Sequence, residues 1–205
     1  MVNQLVNIRD KHQTTKLFFK FLGILVIIGI LIFLIYYAIY GLFFKETDKI
    51  ILENPTSNIV LKYAGVGNNL NEEQTQEVIN EALLEFNKDY INYILVALGI
   101  HNLHKSPTFE NPKIEILLGE DVWSSEIIKG VPNTQNSWID DEDIKITLSK
   151  EEAVKAILSS NIESFIRKSV SNGNIKIEMI AGKPELFGKG YLTLYKDLTG
   201  EEIEV

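Results

Sequence analysis

The longest apolar stretch of the chain is a run of 24 residues, Phe21 to Phe44, that contains no charged side chain. As a helix it would extend about 36 Å, which exceeds the roughly 30 Å hydrocarbon core of a bilayer. A helix is the expected conformation, because lipid offers no hydrogen-bond partners to exposed backbone groups. The pattern therefore predicts a single transmembrane helix over residues 17–44.

The residues that flank this run predict its orientation. Four basic residues and one acid precede it, whereas bases and acids are mixed after it. The positive-inside bias places the N-terminus in the cytoplasm and the C-terminal part outside. A cleaved signal peptide is the alternative, but its apolar region is usually about 7–15 residues and ends at small residues. We therefore expect a single-pass protein of the cell membrane that contacts the lipid bilayer through Phe21–Phe44.

After residue 57 the apolar spacing predicts a short strand and then helices. Asn58 to Tyr63 is a brief apolar run typical of a strand. Asn71 is an expected N-cap, since acidic residues follow it at the positive end of a helix dipole. Apolar residues then recur with helical spacing from Val78 to Leu98. Asn87, Lys88 and Asp89 interrupt this stripe, which leaves one long helix or two shorter ones as alternatives.

The period then changes from 3.6 to 2, which is typical of strands. Lys113 to Leu118 alternates polar and apolar residues, and Val122 to Lys129 follows a tight turn as a returning strand. Gly130 to Asn136 is expected to be a loop. Asp143 to Leu148 alternates again, which predicts a third strand with its apolar side chains on one face.

The last third of the chain predicts two helices, one strand and an ambiguous tail. Ser149 and Glu152 match a capping box ahead of an apolar helical stripe, and Asn161 begins a second helix that Gly173 ends. Asn174 to Ile180 is expected to be a strand. The tail over residues 184–198 has helical spacing, but its glycines weaken a helix.

These elements together predict an α+β fold in which helices flank a mostly antiparallel sheet. The expected organisation is a cytoplasmic tail over 1–16, the transmembrane helix over 17–44, a stalk over 45–57 and an extracytoplasmic domain over 58–205. About 148 residues are enough for one domain with its own core.

The net charge of the chain limits the kinds of molecule that it is expected to bind. The net charge is −8 overall; residues 1–44 carry +3, so residues 45–205 carry −11. This balance argues against nucleic acid, which requires a basic face. The chain has no cysteine, so the domain depends on packing rather than on disulfides.

No motif predicts catalysis, a metal or a cofactor. His101 and His104 have a spacing compatible with metal, but the third histidine, His12, lies before the predicted span. The acidic stretch Asp140 to Asp143 lacks the alternating ligands and the glycine of a calcium loop, and Asp143 is expected to be structural. No nucleophile has an evident base, so we do not expect an enzyme.

Three segments resemble the sterol-carrier-protein domain, also called the nonspecific lipid-transfer family. They are VWSSEIIKG, DIKITLSKEEAVKAIL and GNIKIEMI, and the resemblance extends over about residues 122–180. The shared features are an aromatic on one strand (Trp123), a strand begun by Asp143, a helix capped by Ser149 and a further strand after Gly173.

The resemblance implies a five-stranded sheet, helices packed on it and an apolar tunnel between them. It implies a non-catalytic role in carrying lipids or other apolar ligands. The expected tunnel-lining residues are Ile146, Leu148, Ile157, Phe165 and Ile177. The predicted function is thus a membrane-anchored domain that binds a lipid or apolar ligand near the membrane surface. The alternative is a structural or protein-interaction module of the cell envelope whose core is filled by side chains.

Overall fold

A computed structural model describes residues 22, 24–36, 51–64, 70–106 and 108–200. The chain divides into two compact units, Met1–Glu46 and Thr47–Val205, which are described separately.

In the first unit, Leu22 and residues 24–36 are helical. Among the described residues, no helix is long and apolar enough to cross a membrane. The predictions of a transmembrane helix over 17–44 and of a single-pass membrane location are therefore contradicted. Residues 17–21, 23 and 37–44 of the predicted span, and the predicted tail over 1–16, lie outside the described residues.

The second unit contains a five-stranded sheet in the order β3-β2-β1-β4-β5. The strands are β1 (Lys113–Leu118), β2 (Asp121–Ile128), β3 (Val131–Gln135), β4 (Ile144–Leu148) and β5 (Lys176–Met179). β1 and β4 are parallel, and the other three pairs are antiparallel. The predicted α+β domain with a mostly antiparallel sheet is confirmed.

Strand β3 lies where a loop was expected. Its residues pair with β2 in the register Ser125↔Thr134 and Ile127↔Pro132. Proline cannot donate to a ladder and is tolerated on an edge strand, and β3 is an edge of this sheet. The polar side chains and Pro132 therefore concealed an edge strand.

Seven helices and one 3₁₀ turn are described in this unit. They are α1 (Ser57–Ala64), α2 (Glu72–Leu84), α3 (Lys88–Ala97), the 3₁₀ turn (Ile100–Asn102), α4 (Lys150–Leu158), α5 (Ile162–Ser171), α6 (Lys183–Lys189) and α7 (Tyr191–Thr199). The prediction of a strand at Asn58–Tyr63 is wrong, because this run forms α1 and buries only Ile59. A short apolar run does not by itself distinguish strand from helix.

Side-chain caps begin four of these helices, and at α3 the Asn87 side chain accepts a hydrogen bond from the Asp89 amide. Asn71 and Gln74 form a reciprocal capping box at α2. Asn161 accepts a hydrogen bond from the Ser164 amide at α5. Ser149 accepts one from the Glu152 amide at α4, but the Glu152 carboxylate instead accepts a 2.6 Å hydrogen bond from the Ser169 hydroxyl on α5. The predicted capping box at Ser149 is thus half formed, and its glutamate joins α4 to α5.

The core lies between one face of the sheet and the helices. That face carries the alternating buried residues of the parallel pair: Ile114, Ile116 and Leu118 of β1, and Ile144, Ile146 and Leu148 of β4. The intervening side chains point to the opposite face, where Lys145 lies 2.9 Å from the buried carboxylate of Glu115. The sheet therefore separates an apolar layer from a charged one.

Candidate functional site

An apolar cavity lies between the sheet and the helices of the second unit. Its volume is about 30 Å³, and no polar surface lines it. The lining residues come from the α2–α3 connection, α3, β1, β4, α4, α5, β5 and α7: Phe86, Ile91, Ile94, Leu95, Leu98, Ile116, Leu118, Ile146, Leu148, Ala153, Ile166, Ile175, Ile177 and Leu198. Such a lining can hold apolar groups and offers nothing to orient a polar one.

The volume limits what this conformation can hold. An apolar cavity of about 150 Å³ accommodates benzene, and one water occupies roughly 30 Å³ of the liquid. A cavity of about 30 Å³ therefore has no room for a hydrocarbon chain or a sterol until side chains move. Most of the lining is buried, but Phe86, Leu98 and Ile177 are partly exposed and mark the places where it approaches solvent.

The edge of the cavity at Phe86 has a defined set of contacts. The Phe86 ring stacks on Tyr90 with a centroid separation of 4.9 Å. The Lys150 ammonium lies 5.9 Å from the Phe86 ring centroid and forms an ion pair with the carboxylate of Asp121. Asp121 begins β2 and Lys150 begins α4, so the ion pair joins the sheet to the helical layer beside the cavity.

A buried ion pair lies near the N-terminal end of α7, the opposite end of this helix from the cavity-lining Leu198. The ammonium of Lys189 is 2.7 Å from the Asp143 carboxylate, and each side chain is only 1% exposed. The second oxygen of Asp143 accepts a 2.7 Å hydrogen bond from the Lys113 amide, and Glu185 lies 2.7 Å from the same ammonium. Every charged atom of the pair therefore has a partner, as burial of charge requires.

Tyr191 completes this cluster. Its side chain is fully buried, and its hydroxyl donates to the Lys113 carbonyl at 3.2 Å. Burial raises the pKa of Tyr191 well above its usual value, and the nearby carboxylate of Asp143 acts in the same direction. Burial also raises the pKa of Asp143, although the hydrogen bond from Lys189 opposes that shift. We name Asp143, Glu185, Lys189 and Tyr191 the buried ionic cluster.

The buried ionic cluster joins separate parts of the fold. Asp143 stands directly before β4, and its carbonyl accepts hydrogen bonds from the amides of Ile180 and Ala181, which follow β5. Lys189 and Tyr191 flank Gly190, which connects α6 to α7. Its φ of +89° is in the left-handed region that favours glycine. A side chain at Gly190 would also approach the Asn102 carbonyl to 3.2 Å. The cluster therefore acts as a structural anchor between the sheet and the connection of α6 to α7.

Comparisons with known proteins give distant likenesses only. No family model and no curated protein matches the chain. The UbiJ-SCP2 ubiquinone synthesis protein covers 51% of this chain and 88% of its own, with 11% identity and a TM-score of 0.31. The inverting sec-alkylsulfatase Pisa1 from Pseudomonas sp. has 9% identity and a TM-score of 0.28, and covers 74% of this chain. A double mutant of this sulfatase gives 8% identity and the same TM-score.

These values establish neither a shared fold nor a shared function. The sulfatase matches cover only 33% of that chain. The UbiJ-SCP2 match is too weak to bear on the sterol-carrier resemblance. Assignment to the sterol-carrier family therefore remains a prediction, whereas the five-stranded α+β architecture is observed in the structure.

The residues expected to line a tunnel divide into two groups. Ile146, Leu148 and Ile177 contribute to the cavity, whereas Ile157 and Phe165 do not. Ile157 faces a separate groove of about 390 Å³ beside residues 54–61. On α5 the neighbouring residue, Ile166, lines the cavity in place of Phe165, because adjacent helical residues point about 100° apart.

The groove beside α1 is less suited to be a site. Part of its polar lining is already used: the Asn54 side-chain oxygen accepts hydrogen bonds from the Thr56 amide and hydroxyl, and Ser159 donates to the Ala156 carbonyl at 2.6 Å.

The remaining candidates from the sequence are the histidines and the acidic stretch Asp140 to Asp143, which were considered as metal ligands. In the described part of the chain, no three His, Cys, Asp or Glu side chains come together to hold a metal. The Nδ1 atom of His104 lies 3.1 Å from the Asn102 carbonyl. Asp143 is buried apart from the exposed Asp140 and Asp141, and it has the structural position expected for it.

Sequence reasoning missed the contribution of α3 and Lys189. Ile91, Ile94, Leu95 and Leu98 repeat at helical spacing, so their inward face was detectable, but the family resemblance did not extend to them. Lys189 lies between two glycines in the ambiguous tail, and no local pattern marked it as buried.

Proposed function

We propose that the Thr47–Val205 unit is a non-catalytic binding domain that takes an apolar ligand between its sheet and its helices. The observation that carries this proposal is the lining of the cavity: 14 side chains from eight parts of the fold, without a polar group among them. Apolar pockets of this kind bind ligands through the hydrophobic effect, at roughly 0.8 kcal/mol per buried methylene.

Ligand uptake requires the cavity to widen, and the lining shows where this happens. Phe86, Leu98 and Ile177 are the partly exposed members, and movement of these side chains opens the cavity without breaking the buried ionic cluster. Leu98 lies at the end of α3, next to Gly99, whose φ of +83° ends the helix. The helix end and the edge strand β5 are therefore the regions that we expect to move.

The test is titration of the full chain with N-phenyl-1-naphthylamine, an uncharged fluorescent probe. We expect saturable binding at one site per chain. Ile177→Trp places a larger side chain in the cavity and should weaken binding about tenfold or more. Phe165→Trp is the matched control, since Phe165 packs on the core outside the lining, and it should bind as the native chain does. Absence of saturable binding by the folded native chain would refute the proposal.

A protein-interaction module is the second candidate, and the small cavity favours it. A volume of about 30 Å³ is within the range of ordinary packing gaps, so the core could be filled by its own side chains. This alternative predicts that the probe does not bind and that Ile177→Trp mainly destabilises the fold. The same titration therefore separates the two candidates.

A further inference from the structure

The two edges of the sheet differ in their capacity to accept another strand. β3 and β5 are the edge strands, and each has one strand neighbour among the described residues. β3 contains Pro132, which has no amide hydrogen, and proline protects sheet edges against further pairing. β5 (Lys176–Met179) contains no proline, so each of its residues has an amide hydrogen to donate. β5 is therefore the edge better suited to pair with a further strand.

The direction of the backbone indicates which groups of β5 are at its open edge. The amide of Ile180, directly after β5, donates to the carbonyl of Asp143, directly before β4. Successive residues of a strand direct their backbone groups to opposite sides, so every second residue of β5 faces β4, as Ile180 does. The amides and carbonyls of Ile177 and Met179 consequently point to the open edge. Such a row of backbone groups is a template for another strand.

The side chains of β5 form one apolar row and one charged row. Ile175, directly before the strand, and Ile177 line the cavity, and alternation places Met179 on the same face. Lys176 and Glu178 lie on the opposite face, one on each side of Ile177. Their charged atoms are 3.0 Å apart, and the two side chains are 68% and 39% exposed. The open edge therefore carries two accessible charges of opposite sign.

We propose that β5 pairs antiparallel with β5 of a second copy of this chain, with the twofold axis at Ile177. In this register the Ile177 amide of each copy donates to the Ile177 carbonyl of the other. Lys176 of each copy lies opposite Glu178 of the other, and Ile175 lies opposite Met179. The charged row thus meets opposite charges, and the apolar row meets apolar side chains, which are the favourable cross-strand pairs.

The charges of β5 disfavour the neighbouring registers. An axis at Lys176 would place two lysines opposite each other, and an axis at Glu178 would do the same with two glutamates. Like charges directly opposite destabilise a strand pair. An axis between Ile177 and Glu178 would place an apolar side chain opposite a carboxylate. The pairing is short, so we expect a weak dimer of the transient class. It does not depend on whether the cavity takes a ligand.

Sedimentation velocity of the full chain at concentrations up to about 1 mM tests the dimer. We expect a monomer–dimer equilibrium. Lys176→Glu places like charges together at two symmetric positions and should weaken association about tenfold or more. Adding Glu178→Lys restores opposite charges and should return the association to within about threefold of that of the native chain. A native chain that stays monomeric, or a double variant that associates no better than Lys176→Glu, would overturn the proposal.

Lys129→Glu is the matched control for charge. It makes the same change at the exposed turn between β2 and β3, at the opposite edge of the sheet from β5. This variant should associate as the native chain does. Equal weakening by Lys129→Glu and Lys176→Glu would show an effect of total charge and would overturn the proposal. Unchanged association of Lys176→Glu would place the contact elsewhere, for example on the exposed apolar residues 24–36, with the same consequence.

A disulfide cross-link tests the register. The chain has no cysteine, so an introduced cysteine can pair only with its counterpart in another copy. At the proposed axis the two Ile177 Cα atoms lie about 5.5 Å apart, which suits a disulfide. Ile177→Cys should therefore form a cross-linked dimer on mild oxidation, seen by non-reducing electrophoresis. Glu178→Cys should not, because its two copies lie more than about 7 Å apart. Equal cross-linking of the two variants, or none in either, would contradict this register.

Discussion

The two ends of helix α7 lie in opposite environments. Tyr191 begins the helix in the buried ionic cluster, where charged atoms lie 2.7 Å apart and each has a partner. Leu198 lies in the last turn of the helix and lines the cavity, whose lining is entirely apolar and incompletely filled. Buried charges require partners at fixed distances, whereas apolar side chains lose only small contact energies when they separate. The cluster is therefore expected to fix one end of α7, and the cavity is expected to be the adaptable part.

Breaking the buried ionic cluster should have the largest effect on stability. Lys189→Met leaves the Asp143 carboxylate buried without its cation and should lower the free energy of unfolding by about 3–5 kcal/mol. Urea denaturation followed by circular dichroism measures this loss. Lys62→Met is the matched control: its ion pair with Glu81 is exposed and screened by solvent, so its loss should change stability far less.

A double variant separates burial of charge from packing. Asp143→Leu combined with Lys189→Met removes both charges and should recover part of the stability lost in the single variant. If Lys189→Met alone were as stable as the native chain, the cluster would not anchor α7.

Substitution of two leucines on α7 by alanine tests the role of its apolar end. Leu198 and Leu194 are both buried, but only Leu198 lines the cavity. Either Leu→Ala change should destabilise the fold by about 2–5 kcal/mol. Leu198→Ala also enlarges the cavity, so octan-1-ol should raise its melting temperature more than that of Leu194→Ala, since a ligand of the native state stabilises it. Equal responses of the two variants would contradict the assignment of the cavity.

Alkaline pH should weaken the cluster in a way that depends on Tyr191. Burial raises the pKa of Tyr191 above that of an unfolded tyrosine, so the folded state retains the phenolic proton while the unfolded state releases it. Its contribution to stability is therefore complete below about pH 10 and is lost as the pH rises through the raised pKa. Unfolding free energies from pH 8 to 11 should fall more steeply for the native chain than for Tyr191→Phe. Parallel curves would show that Tyr191 does not titrate differently in the two states.

The sequence predicted elements well where periodicity and caps agree. The strands β1, β2 and β4 and the caps Asn71 and Asn161 follow directly from alternation and side-chain chemistry. The hydrophobic pattern did not predict the conformation of α1, which is a short apolar run, or of β3, which is an edge strand with a proline. In both cases tertiary contacts decide the conformation: the side chains of Lys62 and Tyr63 on α1 both contact the Glu81 carboxylate, and β3 pairs with β2.

The candidate site was predictable only in part. Ile146, Leu148 and Ile177 lie on sheet positions whose alternation indicated an inward face. Phe165 was expected at the cavity, but Ile166 occupies that position, because helical spacing does not determine the rotation of a helix against its neighbours. The Asp143–Lys189 pair joins residues 46 positions apart, and such a long-range contact leaves no local signal.

Methyl NMR of the full chain during titration with octan-1-ol tests the central claim most directly. We predict saturable shifts in the methyl signals of Ile146, Leu148 and Ile177, which line the cavity, while those of Ile59 and Ile157 stay constant. Shifts spread evenly over buried methyl groups, or none at saturating alcohol, would contradict an apolar ligand site between the sheet and the helices.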